Sequence, residues 1–195
     1  MVVAIVVQAK VGIDAGAFDP TRFFAYFTIQ SNLIGVLALG WLALRPDATR
    51  TRGVELLRAG AAIYLTVTFL VVIALLSNTD VGLQLPWVDF VLHKLFPVVV
   101  VADWLLDPPR TRLVYRNIVT LLAYPLAWTV LTVVRGAIDP TKWYPYPFLD
   151  PARGGYGQVA VTIVAIVVAF VAIAAGVIWL GRMRRGSSAP ELRPA

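Results

Sequence analysis

There is no cysteine in the chain, only one histidine, and three lysines against 14 arginines. Without thiols, disulfides and thiolate metal sites are excluded, and the redox compartment leaves no trace in the sequence. The single histidine, His93, cannot supply the paired axial ligands of a haem held between spanning helices. Lys94 lies near enough to a run end to snorkel to the surface, which argues against a buried retinal Schiff base. Neither a cofactor nor a metal is therefore expected. Also absent are internal repeats, a linker long enough for a second domain, and the charged amino-terminal region and small-residue cleavage site of a signal peptide.

What remains is apolar. Of the 195 residues 59% are hydrophobic, with a mean hydropathy of +0.77. Apolar runs of membrane-spanning length recur along the chain, the pattern of transmembrane helices rather than of buried core helices. The expectation is an all-α, polytopic integral membrane helical bundle of six transmembrane helices. Five of these cover about residues 23–44, 54–76, 86–106, 115–134 and 157–180, each roughly 20–24 residues long. The first run, about residues 1–18, meets Lys10 and Asp14 early. Its apolar part, Met1 to Ala9, would cover only about 13 Å as a helix of a hydrocarbon core about 30 Å thick. It reads as a partial, truncated first helix. Arg45-Pro46, Asp107-Pro108-Pro109, Asp139-Pro140 and Asp150-Pro151 punctuate the connections. Pro97 and Pro125 fall inside runs, where membrane helices tolerate them at the cost of a kink and a freed carbonyl. Residues 1–185 thus form a single bundle, and 186–195 a flexible tail.

A net charge of +6 and a pI near 10 would fit a nucleic-acid partner. The distribution of the basic residues argues otherwise. Eleven of them, Arg45, Arg50, Arg52, Arg58, Arg110, Arg112, Arg116 and four in the tail, flank one set of run ends together with five acids. The other set carries six of each sign, with Asn78 and Asp80 in the connection before Pro86. By the positive-inside tendency the basic side, with the C-terminus, is cytoplasmic. The expected localisation is the cell membrane, multi-pass, with membrane lipid as a partner and no nucleic acid.

Polar side chains within hydrocarbon are costly and tend to mark function. The second run opens with FFAYFTIQSN, Phe23 to Asn32, and the fourth contains His93 in FVLHKLFP. Both runs enter from the same side, and Thr28 and His93 each fall about 8–11 Å below the boundary at 1.5 Å per residue. A neutral imidazole at hydrogen-bonding distance from a hydroxyl can take its proton and activate a weak nucleophile. Asp89, one turn from His93, is a candidate to orient it. Asn32, Gln30 and Arg135 are candidates to stabilise an oxyanion. Tyr144 and Tyr146 in the aromatic loop WYPYPFLD, Trp143 to Asp150, are substrate-loop candidates. The plainer readings stay open. A membrane threonine commonly bonds a carbonyl one turn back, a lone histidine can pair two helices, the loop aromatics can form an interfacial belt, and Asp103 can pair with an arginine of the following loop.

Four segments, FFAYFTIQSN, HKLFPVVVVADWLL, YPLAWTVLTVVRG and WYPYPFLD, resemble the bacterial six-helix branch of the androgen-induced and androgen-dependent TFPI-regulating protein (ADTRP) superfamily. The resemblance runs from about residue 18 to residue 180; Gln30, Ser31 and Asn32 depart from the animal pattern. Animal members are membrane threonine hydrolases that cleave fatty acid esters of hydroxy fatty acids. The resemblance implies a threonine nucleophile at Thr28, its histidine at His93, and a lipid ester substrate. A non-catalytic membrane protein that binds or transports a lipid-like ligand is the alternative, and the oligomeric state is left open.

Overall fold

The computed structural model describes residues 1–76 and 85–187, with side chains through residue 184. Asn78 and Asp80, like the tail beyond residue 187, lie outside the described residues. Within these bounds the chain is all-helical. The elements are α1 (Val2–Asp14), α2 (Pro20–Phe23), α3 (Phe27–Leu44), α4 (Arg52–Val71), α5 (Pro86–Phe90), α6 (Phe96–Leu106), α7 (Asn117–Ile138) and α8 (Gly155–Ser187). Four helical stretches, Phe27–Leu44, Arg52–Leu76, Asn117–Ile138 and Gly155–Arg184, are long and apolar enough to cross a membrane. A fifth stretch is helical without interruption from Pro86 to Leu106, through a π-helical turn at Val91–Leu95 that joins α5 to α6.

At the centre lies α4, packed against α3, α6, α7 and α8. Its middle is built from small residues, Ala59, Gly60, Ala61 and Ala62, which let neighbouring backbones approach closely. The α3 side has a matching device. A Cβ added at Gly35 would fall 2.7 Å from a Phe96 ring carbon and 3.0 Å from Leu65 Cδ1, so glycine lets those side chains pack directly on the α3 backbone. A smaller cluster, Ala4, Ile5, Ile29, Val88 and Leu92, seals α1 and α5 against α3.

Two departures from regular helix matter for the site. The second apolar run breaks at residues 24–26 instead of running unbroken from residue 23. Side chains hold the break open: Gln30 Nε2 donates to Phe24 O at 2.7 Å and Trp128 Nε1 to Ala25 O at 2.9 Å. Thr28 is therefore the second residue of α3, in its first turn, where main-chain N–H groups have no helical acceptor. The other departure is the π turn around His93. Pro97 has no N–H for the carbonyl of residue 93 and its ring crowds that carbonyl. The backbone relaxes to a wider turn, with Phe96 N–H bonded to Val91 O.

At the opposite end of the bundle Arg58, 1% exposed, joins Glu55 at 2.9 Å and Asp103 at 2.8 Å. It also donates to the carbonyl of Asp107 at 2.8 Å. Asp107 is held in turn by Arg50, and Arg110 N–H donates to Glu55 Oε1. Asp103 thus pairs with an arginine of α4, not with one from the 107–116 connection. The Arg58 guanidinium is fixed beside Asp103 by Glu55, the Asp107 carbonyl and the Trp104 ring.

Candidate functional site

Thr28 and His93 are both buried and in contact, with His93 Nε2 3.3 Å from Thr28 Oγ1. On the far side of the ring, Nδ1 lies 2.8 Å from Asp89 Oδ1. A carboxylate accepts only, so Nδ1 carries the proton. In the neutral ring Nε2 is then bare and faces the Thr28 hydroxyl as an acceptor. The order of donation is Thr28 O–H to His93 Nε2, and His93 Nδ1–H to Asp89. Asp89 comes from α5, His93 from the π turn and Thr28 from the first turn of α3.

A fourth group completes the cluster. The Tyr146 hydroxyl lies 3.2 Å from Thr28 Oγ1 and accepts the Thr28 main-chain N–H at 3.2 Å. The phenol is buried, and that burial pushes its pKa up to about 12. Its ring stacks on Phe148 at 5.2 Å and meets Tyr26 edge-on at 5.7 Å. Periodicity carries no sign of this contact, because Tyr146 sits in a connection. The usable signal is the aromatic density of WYPYPFLD at the run ends nearest Thr28.

The other sequence candidates stand elsewhere. Asn32 is fully buried one turn along α3, where its Nδ2 donates to Thr28 O at 2.7 Å and to Leu92 O at 3.2 Å. It ties the main chain of the threonine to that of the histidine turn. Ser31 Oγ reaches the same Thr28 carbonyl at 3.1 Å. Gln30 faces away from the pair, held by Phe24 O and by Tyr124, whose hydroxyl donates to Gln30 Oε1 at 2.6 Å. Arg135 donates to Thr21 O and Oγ1, both at 2.8 Å, and lies over the Trp143 ring. Tyr144 packs on Gly136, where an added Cβ would overlap its ring.

One face of Thr28 lines a narrow cleft. Its walls are apolar: Val67 and Val71 of α4, Leu122 and Leu126 of α7, Ile166 and Phe170 of α8. Leu126, in mid-helix on the rim, is 42% exposed, so the cleft reaches the lateral surface of the bundle. The cleft lies on the α4, α7 and α8 side of Thr28, away from His93. The α3–α5 contact is filled by Ile29, Val88 and Leu92. Beside α7, Pro125 leaves the Leu121 carbonyl without its helical donor, and Tyr64 O–H takes it at 2.7 Å. Among the described residues no group of three or more histidine, cysteine or acidic side chains is placed to hold a metal ion. No family model matches the chain, and no match is found among the curated proteins or the solved structures.

Proposed function

We propose that this chain is an integral-membrane lipid ester hydrolase in which Thr28 is the nucleophile and His93 the general base. The observation that carries the reading is a buried hydroxyl that touches an imidazole on one side and an apolar, laterally reaching cleft on the other. The ADTRP resemblance implies the same two roles. An acyl chain enters the cleft from the side with its ester beside Thr28. Thr28 Oγ1 forms a bond to the carbonyl carbon while its proton passes to His93 Nε2. The tetrahedral species collapses, the C–O bond to the alcohol breaks, and the alcohol leaves with the proton from Nε2. A water then repeats the sequence on the acyl-threonine, releasing the fatty acid and restoring both side chains. Asp89 keeps the proton on Nδ1 throughout and stabilises the imidazolium that forms. The 3.3 Å separation is long for proton transfer, and hydrogen bonds of this kind tighten in the complex with substrate.

The substrates that fit are fatty acid esters of hydroxy fatty acids and similar lipid esters, whose ester sits near headgroup level while the chains stay in lipid. In this reading the Pro86–Leu106 segment joins the four long apolar stretches as a span and α1 is a partial first helix, in a six-helix bundle with a cytoplasmic C-terminus. The arginine excess on that side supports the orientation. Because the chain has no cysteine, one cysteine introduced in the 107–112 connection should resist an impermeant label added outside intact cells; labelling there reverses the topology.

Function is tested by incubating the purified protein in lipid nanodiscs with a panel of lipid esters and reading products by mass spectrometry. The expected result is free fatty acid plus the alcohol, and no product from Thr28→Val. Recovery of tightly bound, intact ester from the wild type would replace the hydrolase with a lipid-binding protein.

A further inference from the structure

Acyl transfer needs a hydrogen-bond donor where the carbonyl oxygen gains charge, and the donors expected from sequence are committed elsewhere. Asn32 Nδ2 is spent on two main-chain carbonyls, Gln30 Nε2 on Phe24 O, and Arg135 on Thr21. The polar groups on the cleft wall are mostly committed too. Thr68 Oγ1 donates to Tyr64 O at 2.9 Å, Thr129 Oγ1 to Pro125 O at 2.8 Å and Trp128 Nε1 to Ala25 O at 2.9 Å. Each of those protons is held by a carbonyl. Tyr146 differs. Its oxygen accepts Thr28 N–H, and its proton has no carbonyl acceptor among the described residues, only Thr28 Oγ1 at 3.2 Å.

We infer that the Tyr146 hydroxyl is the oxyanion donor of the Thr28 acyl transfer, a role that rests on the hydrolase reading above. When Thr28 Oγ1 bonds to the carbonyl carbon, the carbonyl π pair moves onto its oxygen. That oxygen is two bonds from Oγ1 and within the arc of a phenol that already touches Oγ1. The Tyr146 proton swings from Oγ1, now without its lone-pair role, to the new oxyanion. On collapse the pair returns to the C=O bond and the phenol keeps its proton. Two features favour the task. The phenol accepts an N–H from the first turn of α3, the positive end of an 18-residue helix, which polarises its O–H outward. Its ring is clamped by Phe148, Tyr26 and Trp128, so the donor is in place before charge develops. Burial also keeps the phenol protonated at any working pH.

The test is Tyr146→Phe, which removes one oxygen and keeps the ring in its clamp. With a lipid ester turned over by the wild type, kcat should fall by about 10²–10³ while KM changes little. A trifluoromethyl ketone carrying the same acyl chain, which forms an oxyanion on Thr28, should bind weaker by a similar factor. A non-hydrolysable ether analogue should bind as before, which also reports that the variant is folded. An active wild type whose Tyr146→Phe variant keeps kcat within threefold overturns this role alone; a wild type inert on every ester overturns the hydrolase reading and this role with it. If Tyr146→Phe does not fold, 3,5-difluorotyrosine at the same position keeps the shape and alters only donor strength. A several-fold change in kcat at constant KM supports the assignment, and no change removes it.

Discussion

Replacing Asp89 by asparagine alters the chemistry of His93 while leaving its packing in place. In the wild type the carboxylate can only accept, so it holds a proton on Nδ1 across 2.8 Å and leaves Nε2 free for Thr28. An asparagine can turn its NH₂ toward Nδ1 instead, which moves the proton to Nε2 and blocks it as a base. A hydrogen bond to a charged group contributes about 1.5–3 kcal/mol. Where the His–Asp pair is sealed from water, as in serine proteases, this change costs about 10⁴ in kcat. Here the Asp89 side chain is 37% exposed and that of His93 3%, so solvent screens one partner and the lower end applies. About 1.5 kcal/mol corresponds to roughly tenfold in kcat, with KM little affected because Asp89 does not line the cleft. The single histidine makes a direct assay possible, since ¹³C,¹⁵N-histidine labelling gives one imidazole spin system. The wild type should show the Nδ1–H tautomer at neutral pH, and Asp89→Asn a mixture or the Nε2–H form. A wild-type proton on Nε2, or an Asp89→Asn kcat within twofold of wild type, would refute the relay.

Thr28→Ser should retain activity and Thr28→Val none. His93→Ala should be as inactive as Thr28→Val, and the double variant little worse than either, because both remove the same step; the wild-type rate should fall as pH drops through the histidine's titration, since imidazolium cannot accept the proton. Arg58→Met leaves Glu55, 0% exposed, without its cation, and should cost about 3–5 kcal/mol of stability, read as a large loss in thermal unfolding at unchanged KM. In the same cluster burial raises the Asp107 carboxyl, but the hydrogen bond from Arg50 and the charges of Arg50, Arg58 and Arg110 outweigh it and hold the pKa below the ordinary 3.8. Its stabilising share is therefore complete above that value and lost as pH falls below about 4; a melting temperature flat from pH 5 to about pH 3 would contradict the sign. Gly136→Ala should drive the Tyr144 ring off α7 and displace the loop that carries Tyr146, lowering turnover while the far-UV helical signal persists.

Composition and run length are enough to read an all-helical chain with stretches long enough to span a membrane, because each stretch is apolar over its whole circumference and little else has that signature. Counting depth from the run ends also puts Thr28 and His93 at one level. Counting does not say which faces meet. Gln30 and Asn32 look equivalent as donors because both follow Thr28 closely; the structure sends one to Tyr124 and the other to two carbonyls. Arg135 lies near the right end of the bundle but on a helix face turned to Thr21. Tyr146 is legible only as part of an aromatic loop, since nothing local specifies that a phenol in a connection turns inward. Arg58 counts as a topology charge in the sequence, and its burial is visible only once α6 supplies Asp103.

The places where a regular-helix reading goes wrong are the places that build the site. An unbroken helix from residue 23 would give the Thr28 N–H a carbonyl acceptor one turn back, and Tyr146 would lose the contact that polarises it. The break at residues 24–26 removes that acceptor, and the phenol takes its place. In the fourth run, the extra residue of the π turn rotates α5 by about 100° relative to α6. Without it, Val88 and Leu92 could not pack on Ile29 while Val100 and Trp104 stay in the core with α4, and His93 would turn away from Thr28. Pro97 enforces that turn from four residues downstream. Restoring the missing N–H by Pro97→Ala lets a regular α-helix form there. The expected outcome is a protein at least as stable to heat, because an i−4 hydrogen bond is gained, but with turnover reduced at least tenfold as His93 leaves Thr28. A Pro97→Ala variant that keeps full activity would show that packing against α1 and α3, rather than the proline, sets the histidine's position.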